Sequence, residues 1–306
     1  LRHHREGRLA ERAEALRALL DPCQLCPRRC GAHRLDGEAG ACGLGARVRL
    51  ARACHHRGEE PPLSGTRGAG TLFFAGCNLQ CRYCQNHQIS RDPEAGTPFD
   101  ADALADEMLA LQDRGCHNIE LVTATPVLPE VVGALDRAAD RGLALPLVHN
   151  TAAYERVDVL RQLDGVVDVY LPDLKYGEAG PAERWSRAPD YVDRSRAAVL
   201  EMARQVGARL HVDEHSIAQR GLIVRHLVLP EDQAGTGAVL GFVATELGPD
   251  TPVSLMAQYR PPPDLPVAAP LDRPITGDEY DAAVGWLEAW GLTEGWTQAP
   301  DAVESY

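Results

Sequence analysis

From Gly70 onward, short apolar runs alternate with stretches of helical period. The runs are TLFFAG (71–76), NIELVT (118–123), LPLVHN (145–150), VVDVYL (166–171), GLIVRHLVLP (221–230) and VSLMAQY (253–259). Runs this short, bounded by Gly, Pro and Asn, read as buried strands. Between them lie helical patterns at about 100–114, 127–141, 153–162, 179–206 and 235–248, with another at 276–291. Strands that each lead into a helix imply a parallel sheet with right-handed crossovers. Six units rather than eight favour an α/β fold of the partial (β/α)6 TIM-like barrel type over a complete barrel. A doubly wound open sheet is the alternative. Either arrangement gathers functional groups at the C-terminal ends of the strands.

Upstream the texture differs. Residues 1–20 predict a helix, with Leu9, Ala13, Leu16, Leu19 and Leu20 spaced along one side. Residues 21–70 read as loop, rich in Cys, Gly, Pro and Arg. The expected division is therefore 1–69, a helix with a Cys-rich metal-binding segment, and 70–306, the barrel with a Pro-rich wrap (260–275) and a last helix.

Composition narrows the function. Apolar residues make up 44% and charged residues 25%, an ordinary globular balance. The net charge of −13 argues against general nucleic-acid binding, which needs Lys and Arg against phosphates. No run approaches the ~18 apolar residues of a membrane span. The first twenty residues are charged and lack a long apolar stretch, so a cytoplasmic location is expected. Of nine cysteines, eight precede residue 85. That crowding and the short C-x2-C and C-x3-C spacings point to metal ligation rather than a disulfide framework.

The string GCNLQCRYCQNHQIS (76–90) sets Cys77, Cys81 and Cys84 in a C-x3-C-x2-C pattern directly after a strand. Four thiolates complete a [4Fe-4S] cluster, whereas three leave one iron open to an exogenous ligand. A zinc knuckle completed by His87 is the competing reading.

C-x3-C-x-aromatic-C after the first strand resembles the signature of the radical S-adenosylmethionine (SAM) superfamily. GEEPPLSGTRGAGTLFFAGCNLQCRYCQNHQIS, VDVYLPDLKYG, RGLIVRHLVLP and SLMAQYRP together resemble the pyruvate formate-lyase activating enzyme-like branch that carries an N-terminal Cys-rich segment. This resemblance implies a [4Fe-4S] cluster on Cys77, Cys81 and Cys84 whose open iron binds SAM. Reductive cleavage of SAM then yields a 5′-deoxyadenosyl radical that takes a hydrogen atom from the substrate. It further implies cofactor contacts at the backbone of Tyr83 and at Arg225, with Thr123 as a polar group available to the cofactor. It makes Asn150 and Thr151 further oxygen ligands of a cation site beside the cofactor, Asn150 standing where the family has an acid. Asp173 and Lys175 match a D-x-K element whose acid helps bind a monovalent cation. The chain departs from the superfamily where a Gly-Gly-Glu-like turn follows the second strand; here LVTATPVLP leaves Thr123 and Thr125. His149, Ala153 and the LPED loop depart from the branch.

Cys23, Cys26, Cys30 and Cys42 form C-x2-C-x3-C-x11-C, a set able to hold zinc or a second iron–sulfur cluster. Cys54 and Cys116 are isolated and read as packing residues. Three functions remain open. The first is a radical SAM enzyme acting on a polypeptide, by glycyl radical activation or peptide modification. The second is one acting on a small metabolite. The third is a non-catalytic iron–sulfur or zinc scaffold or redox sensor. A flavodoxin or ferredoxin is the expected reductant. His149, His226, Gln258 and Tyr259, near strand ends, are candidates to orient substrate, each equally readable as structural.

Overall fold

The computed structural model describes residues 8–298. In chain order its elements begin with helix α1 (Arg8–Arg17), strand β1 (Val48–His56), α2 (Pro61–Ser64), β2 (Ala69–Phe74) and α3 (His87–Ser90). Next come β3 (Thr97–Phe99), α4 (Ala101–Asp113), β4 (Ile119–Val122), α5 (Leu128–Asp140), β5 (Leu147–Thr151), α6 (Val157–Leu160) and β6 (Val169–Pro172). The remainder is α7 (Ala179–Ser186), α8 (Tyr191–Val206), β7 (His211–Val212), β8 (Ala218–Leu222), β9 (Val224–Leu227), α9 (Thr236–Phe242), β10 (Val253–Met256), α10 (Gly277–Ala289) and β11 (Gly295–Thr297). Residues 1–7 of the expected first helix lie outside the described residues.

All six expected strands form, and they lie side by side in sequence order. β2, β4, β5, β6 and β8 are parallel neighbours in an eight-stranded sheet ordered β3-β1-β2-β4-β5-β6-β8-β7. The run 221–230 is split at Ile223 into β8 and β9, and β9 opens a parallel three-stranded sheet with β10 and β11. A bridge from Asp173 to Arg225 ties the two sheets together. The fold is thus α/β with a mostly parallel sheet, and among the described residues no closed barrel forms.

Two expectations need correction. Residues 21–70 are not all loop: β1 pairs antiparallel with both β2 and β3. The helix expected over 179–206 is two helices, because Arg187 closes α7 in a left-handed conformation (φ 50°) that cannot continue a helix.

Each strand presents alternate side chains to two faces. Leu72, Ile119, Leu121, Leu147, Leu222 and Val224 face the helices and join their buried residues in the main core. The alternate residues Val148, Val169, Leu171 and Ile223 pack with Leu63 of α2 in a smaller cluster on the opposite face. Thr71, Glu120, Asn150 and Arg225 occupy the same alternate positions, so this face turns polar. α1 buries Leu9 and Leu16 and brings Ala13 against Gly133 of α5, securing the N-terminal segment to the helical layer. No described helix is long and apolar enough to cross a membrane.

Candidate functional site

The loop after β2 carries Cys77, Cys81 and Cys84 at the C-terminal edge of the sheet. Two left-handed residues shape it: Gly76 (φ 75°) and Gln80 (φ 53°). A Cβ on Gly76 would meet Leu44 Cγ at 2.7 Å and the Cys42 carbonyl at 2.8 Å, so only glycine fits. Gly76→Ala is therefore expected to cost at least about 1–2 kcal/mol, read by denaturant unfolding. An unchanged midpoint would disprove the close approach.

Polar groups converge on the three sulfurs. The Leu79 N–H points at Cys77 Sγ (3.4 Å) and the Ser90 hydroxyl at Cys84 Sγ (3.2 Å). Cys81 is buried beside the hydroxyls of Tyr176 and Ser186, with the Lys175 ammonium nearby. His87 does not join them; its Nδ1 lies 3.2 Å from the Cys84 carbonyl. No three cysteine sulfurs in the described chain come within 4.8 Å of one another, so the triad is not drawn around a single ion. Three soft donors with space between them, supported by N–H and O–H groups, fit an iron–sulfur cluster.

Around this loop the strand ends form a linked frame. Lys175 Nζ pairs with Asp173 Oδ2 at 2.8 Å. Burial alone would lower the Lys175 pKa, but Asp173 and Cys81 outweigh it and keep the ammonium charged. Tyr191, which sequence reasoning missed, has its hydroxyl 2.9 Å from the Lys175 N–H and from the carbonyls of Ala152 and Asp173, pinning the ends of β5 and β6. The Asp173 N–H continues the ladder to Thr151 O. Thr123 is left-handed (φ 60°) and donates its N–H to Asn150 O. The ring of Tyr83 is packed edge-on against Tyr176 and Tyr259 under the loop.

Several strand-end residues point elsewhere. Thr125 and Thr151 both donate their hydroxyls to the buried Glu155 carboxylate. His149 is fully buried on the helix side, 3.5 Å from Glu155 and edge-on to Tyr170. His226 is enclosed between the Leu174 carbonyl (2.6 Å) and the Thr236 hydroxyl (3.0 Å). The Tyr259 hydroxyl donates to Leu271 O. These five side chains therefore serve packing. Gln258 faces Gln298, whose amide donates to its Oε1 at 2.7 Å.

Arg225 does not stand free at the strand end. Its guanidinium forks onto Glu60 (Nε to Oε1, 2.8 Å) and reaches Glu59, both from the turn between β1 and α2. His56 adds a 2.8 Å contact to Glu59. Glu120 stands beside them, accepting from Asn150 at 2.7 Å, with the Thr71 hydroxyl at 3.4 Å. Burial would raise the Glu59 carboxyl, but Arg225 and His56 hold it down at about 2. Burial, with Glu59 adding to it, pushes Glu120 up to about 8.

These shifts have opposite signs in stability. The depressed Glu59 contributes fully above the ordinary carboxylate range and loses its contribution as pH falls toward 2. The raised Glu120 keeps its proton in the fold but not in the unfolded chain, so stability falls as pH rises from the ordinary carboxylate range to about 8. Glu120→Gln should flatten that decline in urea unfolding at pH 5, 6.5 and 8. A decline as steep in the variant as in the parent would refute it.

The upstream cysteines also gather. Cys42 lies near Cys23 and Cys30, and Cys26 near Cys42 and Cys23. Arg28, between Cys26 and Cys30, donates to Asn78 O (2.9 Å), Leu79 O (3.0 Å) and Ser186 O (2.6 Å), clamping this nest to the triad loop. Cys54 and Cys116 are neighbours of each other, away from both sets.

Comparison with known proteins agrees with this geometry. Residues 71–215 match the Radical SAM superfamily. An uncharacterized protein of Methanocaldococcus jannaschii is 28% identical over 288 residues, covering 92% of this chain and 78% of that protein. A 7-carboxy-7-deazaguanine synthase of Methanothermobacter thermautotrophicus is 42% identical over 74 residues, 22% of this chain and 30% of the enzyme. A radical SAM methyltransferase from Sphaerobacter thermophilus superposes with a TM-score of 0.53 at 13% identity, over 74% of this chain and 65% of its own length, a likeness of fold.

Proposed function

We propose, from the match of residues 71–215 to the Radical SAM superfamily, that this protein reductively cleaves SAM and abstracts a hydrogen atom from a polypeptide substrate, in the manner of the activating-enzyme-like proteins it resembles. The observation that carries the reading is the count and placement of Cys77, Cys81 and Cys84. Three sulfurs with converging N–H and O–H donors stand at the C-terminal edge of a parallel sheet. The parallel wall from β2 to β10 we read as a partial (β/α)6 barrel.

A [4Fe-4S] cluster on these cysteines supplies, when bound, the electron that breaks the sulfonium bond and an iron that accepts the amino and carboxylate groups of SAM. The chain's own groups do the rest. Lys175 places a permanent positive charge beside Cys81, offsetting thiolate charge in a dry site. Asp173, Asn150 and the Thr151 backbone offer oxygen atoms around the mouth, where they bind the polar end of the cofactor or a monovalent cation. The backbone around Tyr83 and the turn at Thr123 supply further cofactor contacts. Arg225, fixed by Glu59 and Glu60, keeps its guanidinium at the inner strand end instead of reaching out, so it contacts SAM from a preset position. Tyr191 acts as a positioning residue through its bonds to the Asp173 and Lys175 backbone. A flavodoxin or ferredoxin is the proposed reductant.

The test is direct. Full-length chain reconstituted anaerobically with iron and sulfide, reduced and given SAM, should release 5′-deoxyadenosine. A fully loaded chain that releases none overturns the reading. A polypeptide deuterated at the attacked carbon should pass deuterium into that product; transfer from a small metabolite instead would reassign the substrate class.

A further inference from the structure

Beside the triad, and outside the residues that match the superfamily, Cys23, Cys26, Cys30 and Cys42 form a second nest whose sulfurs are surrounded as metal-bound thiolates are. Backbone N–H groups point at them: Arg28 toward Cys26, Ala32 and Ala41 toward Cys30, and Leu44 toward Cys42. Gly40 passes beneath two of them; a Cβ there would lie 3.3 Å from Cys30 Sγ and 3.5 Å from Cys42 Sγ.

The charge balance points the same way. Arg34 is 1% exposed. Its guanidinium donates to Gly45 O (2.7 Å) and Pro126 O (2.8 Å) and turns Nη1 toward Cys23 Sγ at 3.8 Å. Among the described residues, none of its hydrogen bonds goes to a carboxylate. A buried guanidinium is costly without opposing charge, and beside the carboxylate of Glu130 the groups placed to provide it are the sulfurs of Cys23, Cys30 and Cys42.

Sulfur spacing separates the two metals that such a set can hold. Tetrahedral zinc, with Zn–S near 2.3 Å, draws its four sulfurs to about 3.8 Å of one another. Cys23 and Cys30 stand in side-chain hydrogen-bond contact, but no third sulfur joins them within 4.8 Å, whereas Asp21, His33 and Asp36 of the same segment do gather that closely. A cubane places its own body between the thiolates and keeps them apart.

We propose that Cys23, Cys26, Cys30 and Cys42 bind a second [4Fe-4S] cluster, closed to SAM by its four thiolates, which passes single electrons to the cluster of the triad. The route is short. Arg28 donates to the carbonyls of Asn78 and Leu79 inside the triad loop, and the Cys42 carbonyl lies against Gly76. Cys30 is exposed and Cys26 half-buried, whereas Cys81 is buried, so the upstream nest is the side an external reductant can approach. One electron enters this cluster from that reductant and one leaves it for the triad cluster; no bond is made or broken at the nest.

The relay rests on the proposed SAM cleavage, but the binding does not, and the experiment separates them. A full chain with Cys77→Ala, Cys81→Ala and Cys84→Ala, reconstituted anaerobically, should keep about four irons and four sulfides with a reduced-state EPR signal that SAM leaves unchanged. Zinc without iron, or no metal, in that variant overturns the site. Should the variant fail to fold, Mössbauer spectroscopy of the parent decides: about eight cluster irons support the site and about four overturn it. For the relay, the reduced parent freed of excess reductant should form about two equivalents of 5′-deoxyadenosine per chain. One equivalent overturns it, because only the triad cluster then delivers its electron. No product at all overturns the SAM reading and the relay together, while the iron count still judges the site.

Discussion

Cys81→Ala should reduce 5′-deoxyadenosine formation to background, even after full reconstitution. Cys81 is the most enclosed of the three sulfurs, held by Tyr176, Ser186 and Lys175. Removing it leaves Lys175 with one fewer negative neighbour and the cluster with two thiolates. Cys116→Ala is the matching control. That residue is also buried, but it packs beside Gly70 and Cys54, away from either set. Loss of product in the first variant with retention in the second, both checked for iron content, ties SAM cleavage to the triad. Full cleavage by Cys81→Ala would remove the triad from the mechanism.

Arg225→Met should lower the unfolding free energy by about 3–5 kcal/mol, because truncating one partner leaves buried charge uncompensated. Glu59 and Glu60 are 6% and 5% exposed at their side chains, and Arg225 is 13% exposed. Without the guanidinium, both carboxylates face Glu120 across a dry interior. The loss should shrink as pH falls and the freed carboxylates take up protons, whereas a packing defect would cost the same at every pH. Urea unfolding of both chains at pH 5 and pH 8 distinguishes them. A pH-independent difference would mean that the Arg225 stem, rather than its charge, holds the strand end.

Much of the fold was legible because strands buried on both faces are nearly unbroken apolar runs. NIELVT, VVDVYL and LPLVHN are of this kind, and each forms where expected. β1 escaped detection for two reasons. Its residues VRLARACHH carry Arg and His on the polar face, and a register shift between Leu50 and Arg52 breaks the alternation that would mark it. The triad could be read from spacing, and the D-x-K element of Asp173 and Lys175 from resemblance, but not the ion pair that joins them. The histidines could not. His149 and Asn150 are neighbours in β5, so their side chains leave opposite faces; the same separates Arg225 from His226. Proximity to a strand end carried no information about which face a side chain takes. Glu120 did carry a signal, since a lone acid inside NIELVT is seldom buried without a task. Glu59 and Glu60 became meaningful only when the turn before α2 brought them to Arg225, 165 residues away in sequence for Glu60.

The antiparallel pairing of β1 with β2 has a practical consequence for dissecting this protein. The superfamily match opens at residue 71, which suggests a convenient place to trim. A fragment starting there loses β1, part of β2 and the Arg28 clamp at one stroke. What remains of β2 then presents a row of unpaired amides and carbonyls to solvent, a template for pairing with other copies. Such fragments should aggregate, and their failure to take up iron would reflect that aggregation rather than any defect in the cysteine triad.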